Sequence, residues 1–205
     1  EEDRFARITE KGNGMAGLQD YLQTSIDGLA ALRDHDLSGA IERAIDIIVA
    51  ALGSGKPMLV CGNGGSAADA QHIAGELVGR FLRERKAYNV IALGTDTSVV
   101  TAWSNDYSFE SLFARQVEAH GCKGAVLLAI STSGNSKNVL AAAEVARQQG
   151  MTVIALTGEG GGKLKPLADV LLDVPSRFTP VIQQGHLCLY HYLCGAIEER
   201  LVGMA

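Results

Sequence analysis

Two stretches decide the fold: Pro57-Met58-Leu59-Val60-Cys61-Gly62-Asn63-Gly64-Gly65-Ser66, and Ala125-Val126-Leu127-Leu128-Ala129-Ile130-Ser131-Thr132-Ser133-Gly134-Asn135-Ser136. Each runs from an apolar strand through a short loop of small polar residues into a helical pattern. Glycines let the backbone turn sharply and approach a ligand closely. Hydroxyls and the free N–H groups of a starting helix bind anionic oxygens without help from cations. Either loop alone reads equally well as a tight turn with capping serines. Two of them in one small domain imply a phosphorylated ligand, a sugar phosphate.

Outward from these loops, strands and helices alternate. Apolar runs predict strands over 57–61, 88–93, 125–130, 151–156 and 169–174. Helical spacing predicts helices over 66–82, 108–120, 136–149 and about 180–202. Ahead of them, Leu18, Tyr21, Leu22, Ile26, Leu29 and Leu32 mark one amphipathic helix, and Ile41, Ala44, Ile45, Ile48 and Leu52 a second. Asp36 or Ser38 is placed to cap the second, and Gly53 or Gly55 to end it. Continuous apolar strands between helices predict a five-stranded parallel sheet covered on both faces, a three-layer α/β/α sandwich with an N-terminal helical pair. Both polar loops then fall at the carboxyl ends of strands, where such sheets bind ligands. The first loop is not the GxGxxG dinucleotide fingerprint, and no Gly-Lys-Ser/Thr of a Walker loop is present.

Bulk composition narrows the function classes. The 205 residues, 47% hydrophobic and 20% charged, suit one domain with a sizeable core. A formal net charge of −5 with no block of Lys or Arg excludes a nucleic-acid surface. No apolar run approaches the ~20 residues of a membrane span. Cys61, Cys122, Cys188 and Cys194 lack CxxC spacing, and with no basic-then-apolar leader pattern they read as reduced thiols of a cytoplasmic protein. Residues 1–14 read as a disordered or cloning-derived tail, and 15–205 as a single domain, with helices over about 15–54 and the α/β core over about 55–205.

His72 and Glu76 stand at i and i+4 and project from one face of the helix that follows the first loop. An imidazole and a carboxylate one turn apart suit a divalent metal or an acid–base site. On the final helix, Gln183 and His191 are eight residues apart, ~12 Å of rise. They meet at one ion only if both side chains lean inward or the helix begins after Gln183. His186 reads as structural or as a subunit contact.

CGNGGSAADAQHIAGELVGRF (61–81), SNDYSFESLFARQV (104–117), AISTSGNSKNVLAA (129–142), LTGEGGGKL (156–164) and IQQGHLCLYH (182–191) together resemble a sugar isomerase (SIS) domain, and within that family its phosphoheptose isomerase branch. The STSGNS loop marks only the broad family; the QHIAGEL helix joined to the IQxxH…H helix is more specific. The resemblance implies substrate contacts from Asn63, Gly64, Gly65, Ser66, Glu76, Asn105, Asp106, Ser131, Thr132, Ser133, Ser136 and Gln183. It implies one zinc ion per subunit on His72, Glu76, Gln183 and His191, with Glu76 and His191 as the acid–base pair. The activity implied is isomerisation of sedoheptulose 7-phosphate through an enediol, opening heptose synthesis for lipopolysaccharide or another surface glycan. A homotetramer is implied too, with a site drawing on more than one subunit. The alternatives are a non-catalytic SIS regulator that binds the replication initiator and lacks the acidic residue at position 76, or an SIS isomerase of another sugar phosphate. Pro180-Val181 departs from the Asp-Arg that some members carry before Ile-Gln.

Overall fold

The computed structural model describes residues 17–204; the tail assigned to 1–14 lies outside the described residues. Among the described residues seven α-helices and five strands follow in order: α1 (Leu18–Asp34), α2 (Ser38–Gly53), β1 (Met58–Cys61), α3 (Gly65–Val78), β2 (Val90–Ala92), α4 (Thr97–Asp106), α5 (Leu112–His120), β3 (Val126–Ser131), α6 (Lys137–Gln148), β4 (Thr152–Thr157), β5 (Val170–Asp173) and α7 (Thr179–Gly203). Short 3₁₀ turns at Phe109–Ser111 and Gly162–Leu167 complete the chain.

The strands form one parallel sheet of order β2-β1-β3-β4-β5. Residues alternate between its faces. Met58, Val60, Val126, Leu128, Ile130, Ile154 and Leu156 face a core shared with α2, α3 and α7. Leu59, Cys61, Leu127, Ala129, Val153 and Ala155 face a second core shared with α5 and α6. The expected three layers are therefore present, and both cores are built mainly from aliphatic side chains excluded from water.

Three elements differ from the periodicity. The helix expected over 66–82 stops at Val78, because Arg85 takes the carbonyls of Glu76 (2.8 Å) and Gly79 (2.6 Å) in place of a further turn. The segment 108–120 breaks into a 3₁₀ turn capped by Ser108 and the shorter α5. Helix α4 escapes periodicity: it has no buried residue and begins in β-branched residues, and Asp96 starts it by accepting the N–H groups of Ser98 (2.9 Å) and Val99 (3.2 Å). At the head of α2, Asp36 accepts the Ser38 N–H at 3.1 Å.

Helix α1 lies against α7 with Leu18, Leu22, Ile26 and Leu29 exposed, and no residue of α1 is fully buried. No helix among the described residues is long and apolar enough to cross a membrane.

Candidate active site

The order of the sheet sets the site. The chain winds from β1 to β2 in one direction and returns across β1 to β3, so the reversal falls between β1 and β3, which pair from Met58↔Val126 to Cys61↔Ala129. Loops leaving the two strands at such a switch point part and leave a crevice. The first loop is tied to the head of α6, the helix that follows the second loop, by a reciprocal amide pair: Asn63 Nδ2 donates to Asn138 Oδ1 at 2.9 Å, and Asn138 Nδ2 to Asn63 Oδ1 at 2.8 Å.

In the first loop Gly64 sits at φ +56°, ψ −119°, a conformation that favours glycine. Gly65 is needed for a different reason: a Cβ there would lie 2.2 Å from Nε2 of Gln183. The amide of Gln183 thus rests on the first loop. Ser66 is 3% exposed and lies beneath the loop, against Gly62. In the second loop the Ser131 and Ser136 hydroxyls bond each other at 2.9 Å. Ser133 is exposed, and its Oγ accepts the Asn135 N–H at 3.1 Å. Gly134, at φ +65°, packs so tightly that a Cβ would come within 2.1 Å of the Gly161 carbonyl oxygen. Thr132 accepts the Gly158 N–H through its carbonyl at 2.9 Å, so the 158–162 loop braces the 131–136 loop. No cation is aimed into it from the adjacent Lys137, whose ammonium is held by Glu110 at 2.7 Å. Asn105 and Asp106 close α4, exposed, their side chains bonded to each other at 2.9 Å.

One helix layer away, α3 and α7 bring three side chains together. Ligand atoms of His72, Glu76 and His191 all lie within 4.8 Å of one another. The Glu76 carboxylate stands 3.0 Å from His72 Nε2, and the His72 and His191 rings meet edge to face with centroids 5.0 Å apart. The triad is complete within one chain. Helix α7 starts at Thr179, ahead of Gln183, so Gln183 and His191 are two turns of regular helix apart. The Gln183 amide lies against Gly65, at the head of α3.

Sequence reasoning missed the groups behind His72. Its Nδ1 is 2.9 Å from the buried Tyr190 hydroxyl, which donates to Asp69 Oδ1 at 3.4 Å. Burial pushes the Tyr190 phenol up, the nearby Asp69 carboxylate adds to it, and burial likewise raises Asp69. A Tyr190 hydroxyl that donates to Asp69 accepts from His72 Nδ1, and the other ring nitrogen, Nε2, faces the Glu76 carboxylate. At 3.0 Å that nitrogen and the carboxylate oxygen are spaced to share a proton or to bind one metal ion. Two imidazoles and a carboxylate, one imidazole oriented from behind by a polar partner, form a donor set that fits a divalent ion with an open position. The signal available in the sequence was Asp69 at i−3 from His72 and Tyr190 adjacent to His191, neither a recognised motif.

His186 is fully buried and donates Nε2–H to the Thr157 carbonyl at 3.0 Å, tying α7 to the end of β4. Burial lowers its pKa to about 4, so it is a neutral structural residue near pH 7. Burial also pushes the Cys61 and Cys194 thiols up to about 12, which removes them as nucleophiles. At the Pro180-Val181 departure, Val181 is buried against Gly28 of α1; a Cβ on Gly28 would come within 2.3 Å of Val181 Cγ1. Helix packing, not polar contact, uses that position here.

A parallel sheet with a glycine-rich loop and a hydroxyl-rich loop at its switch point defines a sugar-phosphate-binding α/β protein, and the sequence model of the SIS domain matches residues 20–158. The chain belongs to the SIS domain family, on its phosphoheptose isomerase branch. It is 51% identical over 181 residues to the phosphoheptose isomerase of Rhodospirillum rubrum, covering 88% of this chain and 95% of that protein. The structure of the Neisseria gonorrhoeae phosphoheptose isomerase superposes with a TM-score of 0.83 at 41% identity, over 89% of this chain and 97% of that one. That of a Francisella tularensis phosphoheptose isomerase gives 0.85 at 39%, over 89% and 96%.

Proposed function

We propose that this protein is an aldose–ketose isomerase that converts sedoheptulose 7-phosphate to D-glycero-D-manno-heptose 7-phosphate, the entry to nucleotide-activated heptose synthesis for a surface glycan. The observation that carries this reading is one arrangement in one chain. A carboxylate and two imidazoles converge on α3 and α7, and α3 springs from a loop tied to the head of α6, the helix that follows the STSGNS loop. The relatives named phosphoheptose isomerase at about half identity support the choice of a heptose phosphate.

Phosphate is held by Ser133, Ser136, Thr132 and backbone N–H groups at the head of α6, and the sugar hydroxyls by Asn63, Gly64, Gly65, Asn105, Asp106 and Gln183. Glu76 takes the proton from C1 of the ketose and returns it to C2. Its Oε1 is engaged by His72, which leaves Oε2 to move the proton. His191 shuttles the second proton between the two oxygens, so that C2=O becomes the alcohol and C1 the aldehyde. A zinc ion on His72, Glu76 and His191 would supply electrophilic stabilisation of the enediolate oxygens.

The working form is a cytoplasmic homotetramer. The exposed Leu18, Leu22, Ile26 and Leu29 stripe of α1 supports assembly, since it is too apolar to be left in water. Glu76→Gln tests the chemistry: it keeps the shape, removes the base, and should cost ~10²–10⁴-fold in kcat on sedoheptulose 7-phosphate. Turnover within about threefold of wild type in zinc-replete buffer would rule Glu76 out as the base.

A further inference from the structure

Two turns beyond His191, α7 buries a second carboxylate that the proposed chemistry does not use. Glu198 is 1% exposed. Its Oε1 accepts the Phe81 N–H (3.0 Å) and Arg85 Nε (3.1 Å), and its Oε2 the N–H groups of Leu82 (2.7 Å) and Arg83 (2.9 Å). Arg85, its side chain 4% exposed, spends the rest of its fork on backbone: Nη1 to the carbonyls of Gly79 (2.6 Å) and Lys86 (3.3 Å), Nη2 to that of Glu76 (2.8 Å). The guanidinium also lies over the Tyr88 ring, 4.3 Å from its centroid.

A buried ion pair is a poor device for stability, because desolvation offsets its attraction and a hydrophobic pair of similar volume does as well. What it supplies is register, and the groups it registers are telling. One end grips the backbone carbonyl of Glu76. The other holds the amides of 81–83, which places the Phe81 ring in a stack on His191, centroids 5.7 Å apart and planes at 22°. The ring also packs beside Gly195, where a Cβ would meet it at 3.4 Å, an ordinary contact. The segment after α3 is thus a brace with the proposed base at one end and the proposed acid at the other.

We propose that the Arg85–Glu198 pair is a positioning device for the reaction, fixing Glu76 through the α3 backbone and His191 through the ring of Phe81. This rests on the reading of Glu76 and His191 as the acid–base pair. Neither Arg85 nor Glu198 touches substrate. Each acts through a neighbour, so its loss moves kcat and metal affinity rather than phosphate binding.

The test compares Glu198→Gln and Phe81→Leu with wild type in the zinc-loaded enzyme. It measures kcat and KM for sedoheptulose 7-phosphate, and separately zinc affinity by competition with a chromophoric chelator. Glu198→Gln should lower kcat and weaken zinc each by about tenfold or more, the range set by groups that orient metal ligands. Phe81→Leu spares the ion pair, so it stays folded and decides the matter if Glu198→Gln does not fold; it should lower kcat about tenfold. KM should stay within about twofold in both, since the STSGNS loop is on β3, away from the brace. If both folded variants, or Phe81→Leu alone when Glu198→Gln is unfolded, keep kcat and zinc affinity within twofold of wild type and lose only thermal stability, the positioning role is refuted. Glu76→Gln in the same assay separates the two ideas. Inactive Glu76→Gln beside normal brace variants overturns the brace alone, and active Glu76→Gln overturns the acid–base reading beneath it.

Discussion

Stability should fall as pH drops from 6.5 to 4, and His186 should account for a measurable share of the loss. The side chain is fully buried, donates Nε2–H to Thr157, and leaves Nδ1 without a partner. Its pKa is lowered by burial from 6.5 to about 4. Folding therefore selects the neutral ring. Above pH 6.5 the ring is neutral in both states and the penalty is absent. Between 6.5 and 4 the unfolded chain takes up a proton that the folded chain refuses, so stability falls with falling pH. At pH 4.5 two of the two and a half decades have been crossed, which amounts to about 2–3 kcal/mol at 1.36 kcal/mol per decade. His186→Gln keeps an N–H donor and cannot titrate. Urea unfolding of both proteins at one chain concentration, from pH 7 to pH 4.5, isolates the term, because carboxylate titration is common to both. The wild-type curve should drop by about 2–3 kcal/mol more than that of the variant. Parallel curves would refute the assignment of a buried, neutral His186.

Three further outcomes follow from the site. Gly65→Ala places a Cβ 2.2 Å from Gln183 Nε2, against 3.4 Å for ordinary contact; the amide must retreat, and kcat/KM should fall about tenfold or more. Unfolding in urea should move by less than ~1 kcal/mol, because a flexible amide and not backbone gives way; unchanged kcat/KM would deny Gln183 a role at the substrate. Ser136→Ala should raise KM for the sugar phosphate with little change in kcat, whereas Lys137→Ala, whose ammonium is held by Glu110, should leave KM alone; the reverse pattern would overturn the hydroxyl-built phosphate site. Light scattering at micromolar concentration should give a tetramer, and mixing Glu76→Gln with His191→Ala chains should restore no activity because the two side chains meet within one chain; a monomer, or complementation, would contradict this.

Much of this protein is written locally. The α/β/α sandwich follows from apolar runs of strand length alternating with helical spacing, and a buried parallel strand such as Val126–Ser131 announces itself because both its faces must be apolar. The loops at 61–66 and 131–136 are legible for a similar reason: their small residues and hydroxyls are dictated by the turn and by the ligand at once. His72 and Glu76 are legible because one helix sets their spacing. The helix α4 is not, since a single cap at Asp96 starts it and it buries no residue fully. Only the tertiary structure brings His191 to His72 and sends Gln183 to the first loop, because the packing of α7 on α3 decides which turns meet. The same is true of Tyr190 behind His72 and of Glu198 under the 79–86 segment. Each is buried polar chemistry satisfied by a partner 113–118 residues away, a pairing that no local period records.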